Sequence, residues 1–220
     1  MENIPYDISC SKAIFDVVKR DERFLDLITL ARVVNALRFC QKAGIDGKES
    51  TGYAGARSTI NSFVFAASVL YEGFLLVARL GRNFRDLDSF KNGFGVLLRD
   101  NKVKTLRKRD GVLYRMRNRF VFHFDDEVAK ESLENFELSE YKFASGIGEA
   151  AGEMVFVLAD EVVINYLLQP TPNDTDDILR ERYKQILDDT TEVMGKFHEA
   201  AERLMGDVLK DMGFKVKSHR

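Results

Sequence analysis

Residues 54–81 limit what this chain can fold into more than any other stretch. They contain no proline, end at Gly81, and are apolar on most faces of the helix they predict. Such a helix is stable only when other elements cover it on several sides, so the rest of the chain must supply a surround of matching length. Its most apolar part, residues 63–78, is shorter than the roughly 20 residues a bilayer requires. It also carries Glu72, so a core helix is expected and no membrane contact. With only three prolines in 220 residues, and Leu, Ala, Glu, Lys and Arg abundant, the surround is expected to be helical as well.

One seam of this helix is polar. Ser58, Asn61, Phe65, Ser68, Glu72, Leu75 and Arg79 follow at alternating steps of three and four. A buried polar seam must be paired or wet, because an unpaired amide or hydroxyl costs roughly 1–3 kcal/mol and an unpaired charge more. Glu72 therefore takes an arginine from a neighbouring helix, sits at an edge in water, or supports the arginine cluster described below.

The other segments read as follows. Residues 11–43 are helical by the recurrence of Phe24, Leu27, Ile28, Leu30, Ala31, Val34, Leu37 and Phe39, with Asp21 able to cap a fresh start and Gly44 able to close the helix. Residues 44–53, rich in glycine and small polar residues, predict a loop. Residues 82–103 predict a short helix or packed loop broken by Gly93 and Gly95, and residues 125–145 a loop with a short helix. Gly146-Ile-Gly148-Glu-Ala-Ala-Gly152 departs from a dinucleotide fingerprint, since its third glycine is one residue late and no strand precedes it. It reads as close helix packing. Residues 149–168 form a third apolar helix, ended by Gln169-Pro-Thr-Pro-Asn173. From about residue 175 to 212 a long, charge-alternating helix is expected, capped by Asp174 or Thr175 and free to bend near Gly195. The whole predicts one all-α domain, a bundle of four to five main helices, whose long C-terminal helix would make a dimer arm.

Apolar content of 45% and charged content of 31% are ordinary for a globular chain, which argues against wholesale disorder. Cys10 and Cys40 match neither a metal spacing nor a disulfide framework and read as packed thiols in a reducing compartment. The N-terminus lacks a basic region followed by an apolar one, so no secretory leader is expected and a cytoplasmic location is.

Chemistry concentrates in residues 114–126, Tyr-Arg-Met-Arg-Asn-Arg-Phe-Val-Phe-His-Phe-Asp-Asp. They continue a basic run of Lys102, Lys104, Arg107, Lys108, Arg109, Arg115, Arg117 and Arg119, with Asp110 the sole acid: net +7 over residues 102–119 in a chain whose formal charge is −2. The run is either a solvated face or a surface for a phosphate chain, which would relieve the repulsion by releasing counterions; on that reading Lys102, Lys104, Arg107, Lys108 and Arg109 bind RNA. A helix from about 107 to 122 is expected despite Gly111. On it Arg115, Arg119 and His123 share a face, whereas Arg117 and His123 stand roughly 120° apart at about 3.6 residues per turn. The latter two can meet on one ligand only if the helix ends or bends near Phe122, or if two chains contribute to one site.

Three readings of these residues stay open. His123 is a satisfied interior histidine and the arginines pair with Asp125, Asp126 and Glu127. Alternatively His123 and Asp125 are two ligands of a metal site whose remaining ligands are not identifiable. Or Arg117 holds a phosphate, Asn118 orients it, and His123, with an ordinary pKa of about 6.5, exchanges a proton with a ribose hydroxyl or leaving oxygen.

Arg117-Asn118-Arg-Phe-Val-Phe-His123 resembles the Arg-x(4–6)-His motif, with a polar residue directly after the arginine, of the HEPN superfamily. The helical surroundings are most similar to its abortive-infection branch. The resemblance covers about residues 20–170, with the C-terminal helix as an addition, and implies an up-and-down helical bundle that forms a homodimer with motif helices face to face. It also implies metal-independent, cofactor-free RNA cleavage, in which the ribose 2′-hydroxyl attacks the adjacent phosphate. Arg117, Asn118 and His123 would be catalytic, with Arg119 and Glu72 as weaker supporting candidates. A role in phage defence or a toxin-like system, with an antitoxin or defence partner, is implied. A non-catalytic nucleic-acid- or protein-binding module is the alternative.

Overall fold

The computed structural model describes residues 6–49, 52–121, 130, 145–146, 154–155 and 157–218. The chain is an all-α helical bundle with a long C-terminal helix. Strand β1 (Tyr6–Ser9) leads to α1 (Lys12–Val18), whose first turn is capped by Ser11 Oγ accepting from the Ile14 amide at 3.3 Å. The chain breaks at Asp21, whose carboxylate accepts from the Arg23 amide at 2.7 Å, and restarts as α2 (Glu22–Glu49). The fresh start that Asp21 predicts is therefore present.

Helix α2 runs on to Glu49, through residues expected to form a loop. The reason lies in the facing helix, α3 (Gly52–Phe84), which returns antiparallel along α2. A Cβ on Gly47 would stand 2.8 Å from Thr59 Oγ1 and 3.0 Å from Ser58 Cβ. Glycine is used there for close approach of two helices, not for a turn. Helix α2 ends at Glu49 and α3 begins at Gly52. Helix α3 is long and apolar enough to cross a membrane by length and composition alone, but 61% of its most apolar window is buried inside the fold.

The polar seam of α3 lies along an edge. Phe65 and Leu75 are exposed, Ser68 is buried and donates to its own helix at Val64 O (2.9 Å), and Arg79 pairs with Asp26 of α2 at 3.7 Å. Both charged members, Glu72 and Arg79, are partly exposed, so water can solvate them beside their ion-pair partners.

After α3 come three short helices: α4 (Asp88–Asn92), α5 (Phe94–Leu97) and α6 (Asn101–Arg107). Helix α7 (Val112–Arg115) continues into a π-helical turn (Met116–Val121). A small ladder pairs β2 (Ser145–Gly146) with β3 (Met154–Val155), ahead of α8 (Val157–Leu168). Helix α9 (Asp176–Asp211) is capped by Thr175 Oγ1 and runs past Gly195 as one continuous helix. Its second half is part of the core it was expected to adorn. Phe197 is fully buried, with ring centroids 5.5 Å from Phe74 and 5.2 Å from Phe94, and it presses so closely on Gly73 that a Cβ there would lie 2.8 Å from its Cζ. The helix closes in a Schellman motif: Phe214 N–H reaches Leu209 O and Gly213 N–H reaches Lys210 O, both at 2.9 Å, with Gly213 at φ 86°. Strand β4 (Lys215–Ser218) then pairs antiparallel with β1, Tyr6 opposite Ser218, tying the two ends of the chain together.

Candidate functional site

The basic run is divided by the fold. Asp100 caps α6 by accepting from the Lys102 amide at 2.8 Å. The helix expected from 107 to 122 instead breaks at 108–111. A Cβ on Gly111 would stand 2.4 Å from Leu106 O and 2.5 Å from Thr105 O, so the carbonyls ending α6 occupy the space a side chain would need. Glycine is the residue that lets the chain fold back there and begin α7. From Met116 the backbone widens to the π form, an i→i+5 arrangement often found at functional sites. Val112, Leu113 and Met116 are buried against the bundle and anchor this element. The one-face alignment of Arg115 and Arg119, which assumed regular helical spacing, does not extend across the π turn.

Arg117 is gripped from two sides. Its Nε donates to Glu72 Oε1 of α3 at 2.5 Å, and its Nη1 donates to Asn118 Oδ1 at 2.5 Å. Asn118 Nδ2 in turn donates to Tyr114 O one turn earlier, at 3.1 Å. The Tyr114 ring meets Tyr71 of α3 edge-on, with centroids 5.8 Å apart. Side-chain exposure is 30% for Arg117 and 40% for Glu72, so the pair lies at the surface of a packed wall. Glu72 does take an arginine from a neighbouring helix, and that arginine is the motif's own. Tyr71 and Tyr114 were not singled out from the sequence; the i, i+4 relation of Tyr114 to Asn118 is the signal that could have pointed to the former's carbonyl.

Arg115 faces the other way. It is 7% exposed, its Nη2 donates to Leu167 O at the end of α8 (3.0 Å), and its guanidinium lies 5.6 Å from the Tyr166 ring centroid. Its Nε and Nη1 have no hydrogen-bond partner among the described residues, and burial lowers its pKa. Arg182 of α9 donates to the next two carbonyls, Leu168 O (2.9 Å) and Gln169 O (3.2 Å), so two arginines satisfy the negative end of α8. Arg119 is half-buried.

Of the five cations expected to bind RNA, Lys102 and Arg107 have partners within the fold. Lys102 Nζ lies 2.6 Å from Asp189 and 2.5 Å from Glu192 of α9; these hydrogen bonds, Asp189 first, raise its pKa above the ordinary lysine range. Arg107 lies 4.6 Å from the Phe74 ring centroid, and burial lowers its pKa. Lys104, Lys108 and Arg109 are exposed. Repulsion within the run is thus relieved in part by carboxylates of α3 and α9.

His123, with Asp125, Asp126 and Glu127, lies outside the described residues, as does the glycine-rich stretch from 147 to 153. The structure therefore brings Glu72, Arg117 and Asn118 together. Among the described residues no group of three His, Cys, Asp or Glu is placed to hold a metal ion. Comparison with protein-family models, curated proteins and solved structures gives no match to this chain.

Proposed function

We propose that the chain is a metal-independent endoribonuclease of HEPN type, acting as a homodimer. The observation that carries this reading is the double grip on Arg117: a guanidinium held by Glu72 and Asn118, yet 30% exposed, is oriented before any ligand arrives. A pre-set guanidinium suits a phosphodiester, because a donor that needs no reorganisation stabilises charge growing on phosphate oxygens most effectively. The adjoining π turn and the exposed Lys104, Lys108 and Arg109 support a site that meets a polyanion. His123 would supply the proton transfer, and a role in phage defence or as a toxin-like effector with a neighbouring antitoxin follows from the same reading. Incubation with structured RNA in EDTA tests it. Cleavage should occur in the wild type and be lost in Arg117→Ala and in His123→Ala; cleavage surviving in both, or dependent on divalent metal, overturns it.

A second reading is a non-catalytic helical module that binds nucleic acid or protein. It is favoured by the same ion pair, since a guanidinium already facing a carboxylate is partly neutralised. RNA binding without cleavage, weakened by salt and abolished by Lys104→Glu, Lys108→Glu and Arg109→Glu together, would select it.

A further inference from the structure

At the end of the bundle where α2 stops and α3 and α9 begin lies an open cavity of about 610 Å³. Ile60, Ile164, Leu168 and Leu179 form its walls, each from a helix segment that leaves the centre unfilled. Ile60, Ile164 and Leu179 are only half-buried, so apolar surface is left facing the concavity. Small residues are the local cause: Gly47 and Ala56 line the space, and Gly47 is held tight against Thr59. Cavities of roughly 300–1,000 Å³ with mainly apolar walls and a few polar groups at fixed points are the usual form of small-molecule sites.

The polar groups are at the rim, and their balance is positive. Lys48 and Arg180 are both exposed there, and among the described lining residues Asp176 is the one acid opposing them. Among the described residues Lys48 has no ion-pair partner and Arg180 has one, a 3.8 Å approach to Asp177, whose carboxylate is 93% exposed. Asp176 lies in the first turn of α9, where the helix dipole already offsets its charge. Thr59 and Tyr183 are the uncharged polar side chains of the lining, and burial, which raises the Tyr183 pKa, keeps that phenol protonated, so neither adds negative charge.

We propose that this cavity binds a single-chain amphiphilic anion, an aliphatic tail in the Ile60–Ile164–Leu168–Leu179 channel with a carboxylate or phosphate head on Lys48 and Arg180. The tail gains by covering half-exposed aliphatic side chains, and the two cations select the sign of the head. The site is separate from the Arg117 cluster and does not depend on the ribonuclease reading.

Titration calorimetry on the full chain tests this with dodecanoate, dodecyl phosphate and dodecylammonium, each below its aggregation concentration. Both anions should bind saturably at one per chain, and the ammonium at least tenfold more weakly. Lys48→Glu with Arg180→Glu should weaken the anions at least tenfold and invert the preference, so that the ammonium binds more tightly than either anion. Both positions are exposed, so the fold, checked by circular dichroism, should be unchanged. Leu179→Asn, which makes the channel polar without adding charge, should weaken all three. Equal binding of both signs, no saturation, or indifference to the charge reversal overturns the proposal. So does co-sedimentation with phosphatidylglycerol vesicles without binding of free dodecanoate, which would assign the patch to a membrane surface.

Discussion

Replacing Glu72 by alanine removes the carboxylate that accepts from Arg117 Nε at 2.5 Å. The size of the effect follows from where the pair sits. Two unit charges about 4 Å apart interact by roughly 1 kcal/mol in water and about 4 kcal/mol at the effective dielectric of a protein surface. With 30% and 40% of the two side chains exposed, the pair lies between these limits. Part of the gain is offset by fixing two flexible side chains, but Arg117 is already held by Asn118, so less freedom remains to be lost. The expected coupling is about 1 kcal/mol, at the upper end for exposed pairs. A double-mutant cycle of Glu72→Ala and Arg117→Ala, read by urea denaturation, isolates it from the packing each side chain provides on its own. It should shrink in high salt, because the pair is partly screened. A coupling below about 0.3 kcal/mol at low salt would refute the idea that Glu72 orients the guanidinium. The loss of RNA cleavage expected in Arg117→Ala would then need another cause.

Three further outcomes are expected. Phe197→Ala should lower stability by about 3–5 kcal/mol in chemical denaturation, since it empties the space between Phe74 and Phe94 at the centre of the core. Two glycines of α9 and its cap should behave oppositely: Gly213→Ala, at φ 86° with only Ile14 Cδ1 at 3.5 Å nearby, should cost about 1 kcal/mol, whereas Gly195→Ala, with open space around it in a helix interior, should stabilise by roughly 0.5–1 kcal/mol. Burial, aided by the Arg38 guanidinium, lowers the pKa of His198 below its ordinary 6.5, against weaker opposing effects of Glu202 and the Val34 backbone. The unfolded chain therefore takes up the proton first as pH falls, and the stability present above about pH 6.5 is lost through the folded-state value below it. Thermal midpoints measured from pH 7.5 down to pH 5 should fall, and should fall less in His198→Gln.

Where the sequence could be read, a local rule and the tertiary packing agreed. The break at Asp21, the cap at Thr175 and the interruption by Pro170 and Pro172 are short-range chemistry. The apolar periodicity of α2, α3 and α9 needs no knowledge of the partner either. The pairing of Glu72 with the Arg117 cluster was one of the alternatives that the polar seam allowed, and it is realised. The glycines misled. Gly47 looks like part of a loop in sequence because a glycine that ends a helix and one that lets two helices touch are the same residue. Only Ser58 and Thr59 of the facing helix distinguish the two uses. The same holds at Gly111, whose reason is the pair of carbonyls ending α6.

The amino-acid sequence by itself determined that this chain is an all-helical bundle, because helical periodicity and the scarcity of proline act within a few residues of each other. It also located the cationic segment. What became of each cation was decided by tertiary structure alone. Lys102 is held by carboxylates of α9, Arg107 packs over the Phe74 ring, Arg115 is buried at the end of α8, and Arg117 is set against Glu72. The physical reason is that a charge count is a property of a segment, whereas pairing and burial depend on groups that only the folded chain brings within a few ångströms.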